Sequence, residues 1–205
     1  IELVLSDIGA DAIKIGMLHK QSVIETIHQT LIPDPRSPIP LILDTVMFAK
    51  GGAPLLQADA LDALKSLLVP NAAIITPNIP EAEHLSGMEI RSLSDMRRAA
   101  EKLLALGCKS VLVKGGHAEG DTVSDILWDG ERETILTSPR RHTPHTHGTG
   151  CTFASAIAAG MAQKMPREEA VRRAHHYVAQ AIKHAPAIGR GHGPLGHNFT
   201  VPPYA

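Results

Sequence analysis

The segment 146–152, with the sequence Thr-His-Gly-Thr-Gly-Cys-Thr, contains residue types that can bind a phosphate and move a proton. It precedes an Ala-rich apolar run and therefore predicts a glycine loop (146–150) that leads into a helix N-terminus. The first N–H groups of a helix have no partner within the helix, and its dipole favours an anion there. Gly148 and Gly150 would let the backbone approach that anion closely. Cys151 would lie on the first turn, where the dipole favours a thiolate that can act as a base or nucleophile. An ordinary core helix with a buried structural cysteine is the alternative.

Composition excludes several classes of protein. The 205 residues contain 20 Lys and Arg against 21 Asp and Glu, so the basic excess expected of a nucleic-acid-binding protein is absent and no nucleic-acid partner is predicted. No apolar run reaches the roughly 18 residues of a membrane span, which predicts no membrane association. No signal-peptide pattern is present. Only 2 cysteines are present, which is too few for a disulfide framework. A cytoplasmic protein is expected, and the length fits one α/β domain over 1–205 or two small ones.

Strand and helix patterns alternate along the chain. Strands are predicted at 12–18 with an end at Gly16, at 41–43, at 73–76 and at 110–114. Helices are predicted at 22–31, at 58–68, from Pro80 onward, at 94–106 with Ser94 as cap and Gly107 as stop, after the glycine loop, and at 167–184. A hairpin is predicted at 125–136 around Asp129-Gly130, a proline-rich linker at Pro33, Pro35, Pro38 and Pro40, and an irregular surface tail at 189–205. This order is typical of an α/β fold with a mostly parallel sheet that helices cover on both faces.

In such folds ligands bind at the carboxyl ends of the strands. The polar or candidate binding residues that follow the predicted strands are Met17, Asp44, Asn78, Glu81 and Lys114. The two carboxylates could hold Mg²⁺, which prefers oxygen ligands and bridges to phosphates. Lys114 could neutralise a phosphate. Together with the glycine loop, these groups favour phosphoryl transfer, although no Walker A sequence is present.

Each of these residues also has an ordinary structural interpretation. An aspartate after a strand often caps a helix or forms a turn, and a glutamate in a first helical turn often serves only the helix dipole. A lysine at a strand end is often simply solvated. The 12 histidines make a zinc site another alternative, but no spacing matches a structural zinc module, and only Cys108 and Cys151 could add sulfur ligands.

Five motifs in order along the chain indicate a specific family. They are Ile13-Lys14-Ile15-Gly16-Met17-Leu18, Leu43-Asp44-Thr45-Val46-Met47, Thr76-Pro77-Asn78-Ile79-Pro80-Glu81-Ala82-Glu83, Val113-Lys114-Gly115-Gly116-His117 and Thr146-His147-Gly148-Thr149-Gly150-Cys151-Thr152. The chain resembles the hydroxymethylpyrimidine/phosphomethylpyrimidine kinases of thiamine biosynthesis, which are ribokinase-like vitamin kinases. The tail 191–197 extends the resemblance to essentially the whole chain.

The resemblance implies a ribokinase-like three-layer α/β/α fold with a central, mostly parallel sheet. It also implies a homodimer that uses ATP and Mg²⁺ to phosphorylate a small-molecule pyrimidine alcohol and then its monophosphate. The implied roles are an anion hole with a catalytic base at Gly148, Gly150 and Cys151, nucleotide contacts at Lys114, Thr146 and Thr149, pyrimidine contacts at Met17 and Val46, and the Mg²⁺-phosphate arrangement at Asp44, Asn78 and Glu81.

The chain departs from the family pattern at three points. The first strand and Gly-rich segment of the family are absent before Ile1, so we expect an incomplete substrate pocket. Thr45 replaces a proline, which is expected to loosen the loop, and His175 replaces a lysine near the nucleotide. Two alternatives stay open: a pyridoxal kinase of the same subfamily, and a ligand-binding module without catalysis.

Overall fold

The computed structural model describes residues 1–31, 39–49, 51–117 and 120–201. Its centre is a six-stranded sheet in which the strands follow one another in chain order. The strands are β1 (Ile13–Ile15), β2 (Leu41–Leu43), β3 (Ile74–Ile75), β4 (Val111–Val113), β5 (Thr122–Trp128) and β6 (Glu133–Pro139). The first four strands pair in parallel, and the last two are antiparallel. The carboxyl ends of β1 to β4 therefore meet at one edge of the sheet.

Helices cover both faces of this sheet. The covering helices are α2 (Gln21–Leu31), α3 (Ala60–Ala63), α4 (Ile79–Ser86), α5 (Leu93–Leu104), α6 (Thr149–Ala162) and α7 (Arg167–Lys183). A further helix, α1 (Glu2–Asp7), has no buried residue. Alternate strand residues point to opposite faces. Leu43 and Ile75 belong to the core beneath α2 to α5, whereas Ile42 and Ile74 belong to the core beneath α6 and α7. The predicted three-layer α/β/α architecture is confirmed.

Two helix predictions are wrong in detail. Helix α5 is capped by Ser92 rather than Ser94, because the extended backbone at Ser92 lets its Oγ accept the N–H of Asp95, at 3.1 Å. The helix ends at Leu104, ahead of the predicted stop at Gly107. The predicted helix 58–68 is α-helical only over α3, then continues as a π-helical turn over Leu64–Leu68 and a 3₁₀ turn over Val69–Asn71. Pro70 has no N–H to donate and its ring crowds the preceding turn, which explains the changed winding.

The hairpin prediction is confirmed, and both strands extend beyond it. Gly130 has φ of +96°, and Asp129 Oδ1 accepts the N–H groups of Glu131 and Arg132, which closes the turn. The described part of the tail, 189–201, is irregular as predicted, but Leu195 is buried rather than at the surface, because the tail is tied into the fold. Of the predicted proline linker, Pro33, Pro35 and Pro38 lie outside the described residues. No described helix is both long and apolar enough to cross a bilayer.

Candidate active site

Asp44 is the centre of the polar cluster at the carboxyl edge of the sheet. It directly follows β2 and is 2% exposed. Its Oδ1 accepts hydrogen bonds from Lys114 Nζ and Thr76 Oγ1, each at 3.1 Å, and its Oδ2 lies 3.5 Å from Lys14 Nζ. Burial alone would raise the pKa of Asp44, but the charges of Lys114 and Lys14 outweigh it and lower that pKa. Asp44 is therefore a buried carboxylate held ionised between two ammonium groups.

Glu81 lies beside this cluster in the first turn of α4. It forms a capping box with Asn78: the Glu81 N–H donates to Asn78 Oδ1, and the Asn78 N–H donates to Glu81 Oε2, each at 2.9 Å. Thr45 Oγ1 donates to Glu81 Oε2 at 3.3 Å. A proline at position 45 would lack this hydroxyl, so Thr45 ties its loop to α4 rather than loosening it. Burial raises the pKa of Glu81, against the opposing charge of Lys114.

The carboxylates fit a magnesium ion that is completed by substrate phosphates. Asp44 Oδ2 is buried and has no hydrogen-bond partner among the described residues, so one hard oxygen is available for ligation. Mg²⁺ is commonly held by one or two carboxylates together with phosphate oxygens and water. In the described part of the chain no three His, Cys, Asp or Glu side chains converge as a protein-only metal site. Asn78 Oδ1 is engaged by Glu81, so Asn78 acts in this arrangement by fixing Glu81.

The glycine loop approaches the Asp44 cluster from the opposite face of the sheet. It leads into α6, whereas α2 to α5 cover the other face. Gly148 is the N-cap of α6 with φ of +82°, a conformation that suits glycine. Within the described residues, the N–H groups of Gly150 and Cys151 donate to no acceptor, so they are available to an anion. A Cβ added to Gly150 would lie 3.2 Å from Lys114 Nζ, which places the loop next to the lysine. Free amides and an ammonium group therefore face the same space.

The glycine loop is held by its neighbours on both sides. Thr146 C=O accepts the Thr149 hydroxyl at 2.8 Å. The N–H of His147 donates to Gly193 C=O in the tail at 3.2 Å, and His147 pairs with Pro194 as an isolated bridge. The tail thus braces the loop, which explains why Leu195 is buried.

Of the other predicted residues, Val46 contacts Asp44 directly, because its N–H donates to the Asp44 C=O at 2.8 Å. Cys151 is on the first turn of α6 as predicted, but it is exposed and lines an open groove of about 520 Å³ between α6 and α7. The alternative of a buried structural cysteine is therefore wrong. Met17 is 64% exposed beyond β1. Val46 follows Asp44 and is half-buried. The contacts of the described residues join neither Met17 nor Cys151 to the Asp44 cluster.

Three residues of the site were not predicted from the sequence. Thr76 and Lys14 both contact Asp44. Asp125 on β5 is buried, and its Oδ1 accepts the N–H of Gly115 at 2.8 Å. Its Oδ2 lies 3.9 Å from His175 Nε2 on α7. The signal that could have revealed Asp125 is an acidic residue at the start of the otherwise apolar run Asp125-Ile126-Leu127-Trp128.

Burial controls the ionisation of Asp125 and His175. It raises the pKa of Asp125 to about 6, although the N–H of Gly115 and the charge of Lys114 oppose the shift. Burial also lowers the pKa of His175, with a further contribution from His176. His175 therefore faces Asp125 beneath the loop that follows Lys114, where a nonpolar environment favours the neutral forms of both groups.

Comparisons with known proteins agree with this geometry. The model of the phosphomethylpyrimidine kinase family matches residues 1–196. The chain is 43% identical to a hydroxymethylpyrimidine/phosphomethylpyrimidine kinase of Bacillus subtilis, over 96% of this chain and 72% of that protein. It is 48% identical to a thiamine biosynthesis bifunctional protein of Geobacter sulfurreducens, over 96% of this chain and 40% of that protein.

A solved structure is similar as well. The fold matches pyridoxal kinase from Staphylococcus aureus in complex with AMP-PCP and pyridoxal, with a TM-score of 0.87 and 33% identity over 98% of this chain and 71% of that one. The chain thus corresponds to part of the length of each of these proteins.

Proposed function

Because this chain belongs to the phosphomethylpyrimidine kinase family, we propose that the cluster around Asp44 and the glycine loop transfers phosphate from ATP to a pyrimidine. The proposed substrates are 4-amino-5-hydroxymethyl-2-methylpyrimidine and its monophosphate. Family membership confirms the predicted family, the predicted kinase class and the predicted place in thiamine biosynthesis. We propose that one kinase domain over 1–205 carries out this phosphate transfer.

One observation carries the proposal. Gly150, whose N–H is free among the described residues, lies beside Lys114, which is itself bonded to Asp44. The free N–H of Cys151 follows it on the same helical turn. Donors that are fixed before the reaction stabilise negative charge without reorganising, which is the main requirement of phosphoryl transfer. In the proposed arrangement Lys114, Thr146 and Thr149 contact the nucleotide, and Met17 and Val46 contact the pyrimidine.

The first transfer needs a proton acceptor. The hydroxyl oxygen of the pyrimidine forms a bond to the γ-phosphorus, the bond from that phosphorus to the β–γ bridging oxygen breaks, and ADP leaves with the electron pair. We assign the hydroxyl proton to Cys151, which lies next to the proposed anion hole on the first turn of α6.

Two carboxylates are available for the metal. Asp44 and Glu81 would hold Mg²⁺, and Asn78 would keep Glu81 in place through the capping box. When bound, the ion would neutralise charge on the phosphates. ATP as donor is supported by the AMP-PCP bound to the similar Staphylococcus aureus pyridoxal kinase.

The test is turnover of defined acceptors by the full chain. The protein is incubated with ATP, MgCl₂ and either the pyrimidine alcohol, its monophosphate or pyridoxal, and both ADP and the phosphorylated product are measured. Phosphorylation of both pyrimidines is expected. Failure to phosphorylate the monophosphate would contradict the assignment to thiamine biosynthesis.

Pyridoxal phosphorylation is the second candidate. It is favoured by the close structural similarity to a kinase that has been captured with pyridoxal. A higher kcat/KM for pyridoxal than for the pyrimidine alcohol would support it. Binding of ATP or pyrimidine without turnover would instead support the ligand-binding module.

Assembly and location are proposed from the family resemblance alone. We propose a cytoplasmic homodimer. Sedimentation equilibrium would show twice the chain mass of 21.9 kDa if the dimer forms, and a single chain mass at micromolar concentration would contradict it.

A further inference from the structure

Lys14 is an ammonium group at the site whose hydrogen-bonding capacity is unused. It lies on β1, its side chain is 20% exposed, and its Nζ lies 3.5 Å from Asp44 Oδ2. In the described part of the chain this ion pair is its one polar contact, with no hydrogen bond to any acceptor. An ammonium group has three donors, and a charge that is largely removed from water is normally hydrogen-bonded. The donors of Lys14 are therefore available to a ligand.

Lys14 shares its one carboxylate partner with a second lysine. Asp44 lies between Lys14 and Lys114, so one carboxylate faces two ammonium groups. Glu81 is bonded instead to the N–H of Asn78, the hydroxyl of Thr45 and, more distantly, the N–H of Met47. Because the charges of Lys114 and Asp44 also act on Glu81, the second carboxylate belongs to the same cluster. The unused donors of Lys14, rather than a net charge, favour an anionic ligand beside it.

The two lysines lie on opposite sides of Asp44. Lys114 is next to the glycine loop, since its Nζ is 3.2 Å from the position of a Cβ on Gly150. Lys14 is next to the segment that precedes Met17, since its Nζ is 2.6 Å from the position of a Cβ on Gly16. Lys114 therefore lies on the side proposed for the nucleotide, and Lys14 on the side proposed for the pyrimidine.

We infer that Lys14 binds the phosphate of the pyrimidine monophosphate and so determines whether the second phosphorylation takes place. The inference rests on the proposed function. The first acceptor is a neutral alcohol, whereas the second carries a phosphate whose oxygen must approach the γ-phosphate of ATP. The two negatively charged phosphates repel each other strongly when they meet in a site that excludes bulk water. A cation on the acceptor side offsets that repulsion.

Lys14 exchanges no proton in this step. A phosphate oxygen of the acceptor forms the bond to the γ-phosphorus, the bond to the β–γ bridging oxygen breaks, and ADP leaves with the electron pair. Lys14 stays an ammonium group and donates hydrogen bonds to the acceptor phosphate throughout. A Cβ at position 16 would lie 2.6 Å from Lys14 Nζ, so a side chain there would displace the ammonium group.

The decisive experiment compares both acceptors in Lys14→Met. Removing the charge beside Asp44 should lower kcat/KM for both acceptors. We expect kcat/KM for the monophosphate to fall roughly 10- to 100-fold further than kcat/KM for the alcohol, which is the loss typical of a hydrogen bond to a charged group. Lys14→Arg should recover most of the monophosphate activity. Lys102→Met, at an exposed position of α5, is the matched control and should change neither value.

Two results would overturn the inference. An equal loss with both acceptors would mean that Lys14 only supports Asp44, and no loss would mean that it has no role in binding. If Lys14→Met does not fold, Gly16→Ala moves the ammonium group without removing it and should reduce the same ratio of kcat/KM values. An unchanged ratio in a folded Gly16→Ala variant would also refute the inference. Lack of turnover by the unmodified protein would instead contradict the proposed function.

Discussion

Replacing Asp125 with Asn should stabilise the protein above pH 6. Asp125 is buried on β5, next to the N–H of Gly115, the charge of Lys114 and the ring of His175. Burial raises its pKa from 3.8 to about 6. Because the folded state holds this proton more tightly than the unfolded state, stability is greatest below pH 3.8 and is lost as the pH rises through about 6.

The size of the effect follows from that shift. One pKa unit corresponds to about 1.4 kcal/mol, so a shift of about two units costs the folded protein roughly 3 kcal/mol at pH 8. Asn keeps an oxygen that can accept the Gly115 N–H but carries no charge to bury. We therefore expect Asp125→Asn to raise the free energy of unfolding at pH 8 by up to about 3 kcal/mol, with a difference near zero at pH 4.

Urea unfolding of both proteins between pH 4 and pH 8 would measure this difference. Comparison of the two curves isolates Asp125 from the other titrating groups, which are the same in both proteins. Asp129→Asn is the matched control, because hydrogen bonds from the N–H groups of Arg132 and Glu131 lower the pKa of Asp129, so its loss should destabilise the protein above pH 4. A destabilised Asp125→Asn protein at pH 8, or an unchanged pH dependence, would refute the reasoning.

Three further substitutions test the site. Cys151→Ala should lower kcat roughly 100-fold or more if Cys151 is the base, and a nearly unchanged rate would exclude that role. Glu81→Gln should raise the Mg²⁺ concentration needed for half-maximal activity, whereas an unaltered metal titration would remove Glu81 from the metal site. Gly115→Ala would place a Cβ 1.9 Å from the C=O oxygen of Ser124, so urea unfolding should show a loss of about 1–3 kcal/mol; a loss below about 0.5 kcal/mol would contradict this packing.

The sequence predicted the parallel part of the sheet well, because a buried strand leaves a clear signal. The apolar run at 41–43 is β2 with the same bounds, and Asp44 follows it. The meeting of Asp44 with Lys114 could be predicted because the carboxyl ends of parallel strands share one edge. The positions of the residues are thus established, while their roles in catalysis stay predictions.

Lys14 and Asp125 were not predicted as site residues, because neither directly follows a parallel strand. Lys14 is inside β1 rather than after it, and only its long side chain reaches the edge. Asp125 is on β5, which runs antiparallel to β4, so its position in the sequence does not reveal which end of the sheet it reaches. Pro70 lies beyond the predicted helix 58–68, so the periodicity of that stretch does not reveal the changed winding after α3.

The open donors of the site come at a cost to folding, and this cost links stability to function. The N–H groups of Gly150 and Cys151 and the ammonium group of Lys14 make no hydrogen bond among the described residues. Such groups disfavour folding unless water or a ligand satisfies them. Other hydrogen bonds of the site offset this unfavourable contribution to folding. Asp44 accepts hydrogen bonds from Lys114 and Thr76, and the tail is hydrogen-bonded to the glycine loop. Phosphate oxygens would satisfy all of these donors together, so phosphate binding should stabilise the folded protein as well as prepare it for transfer.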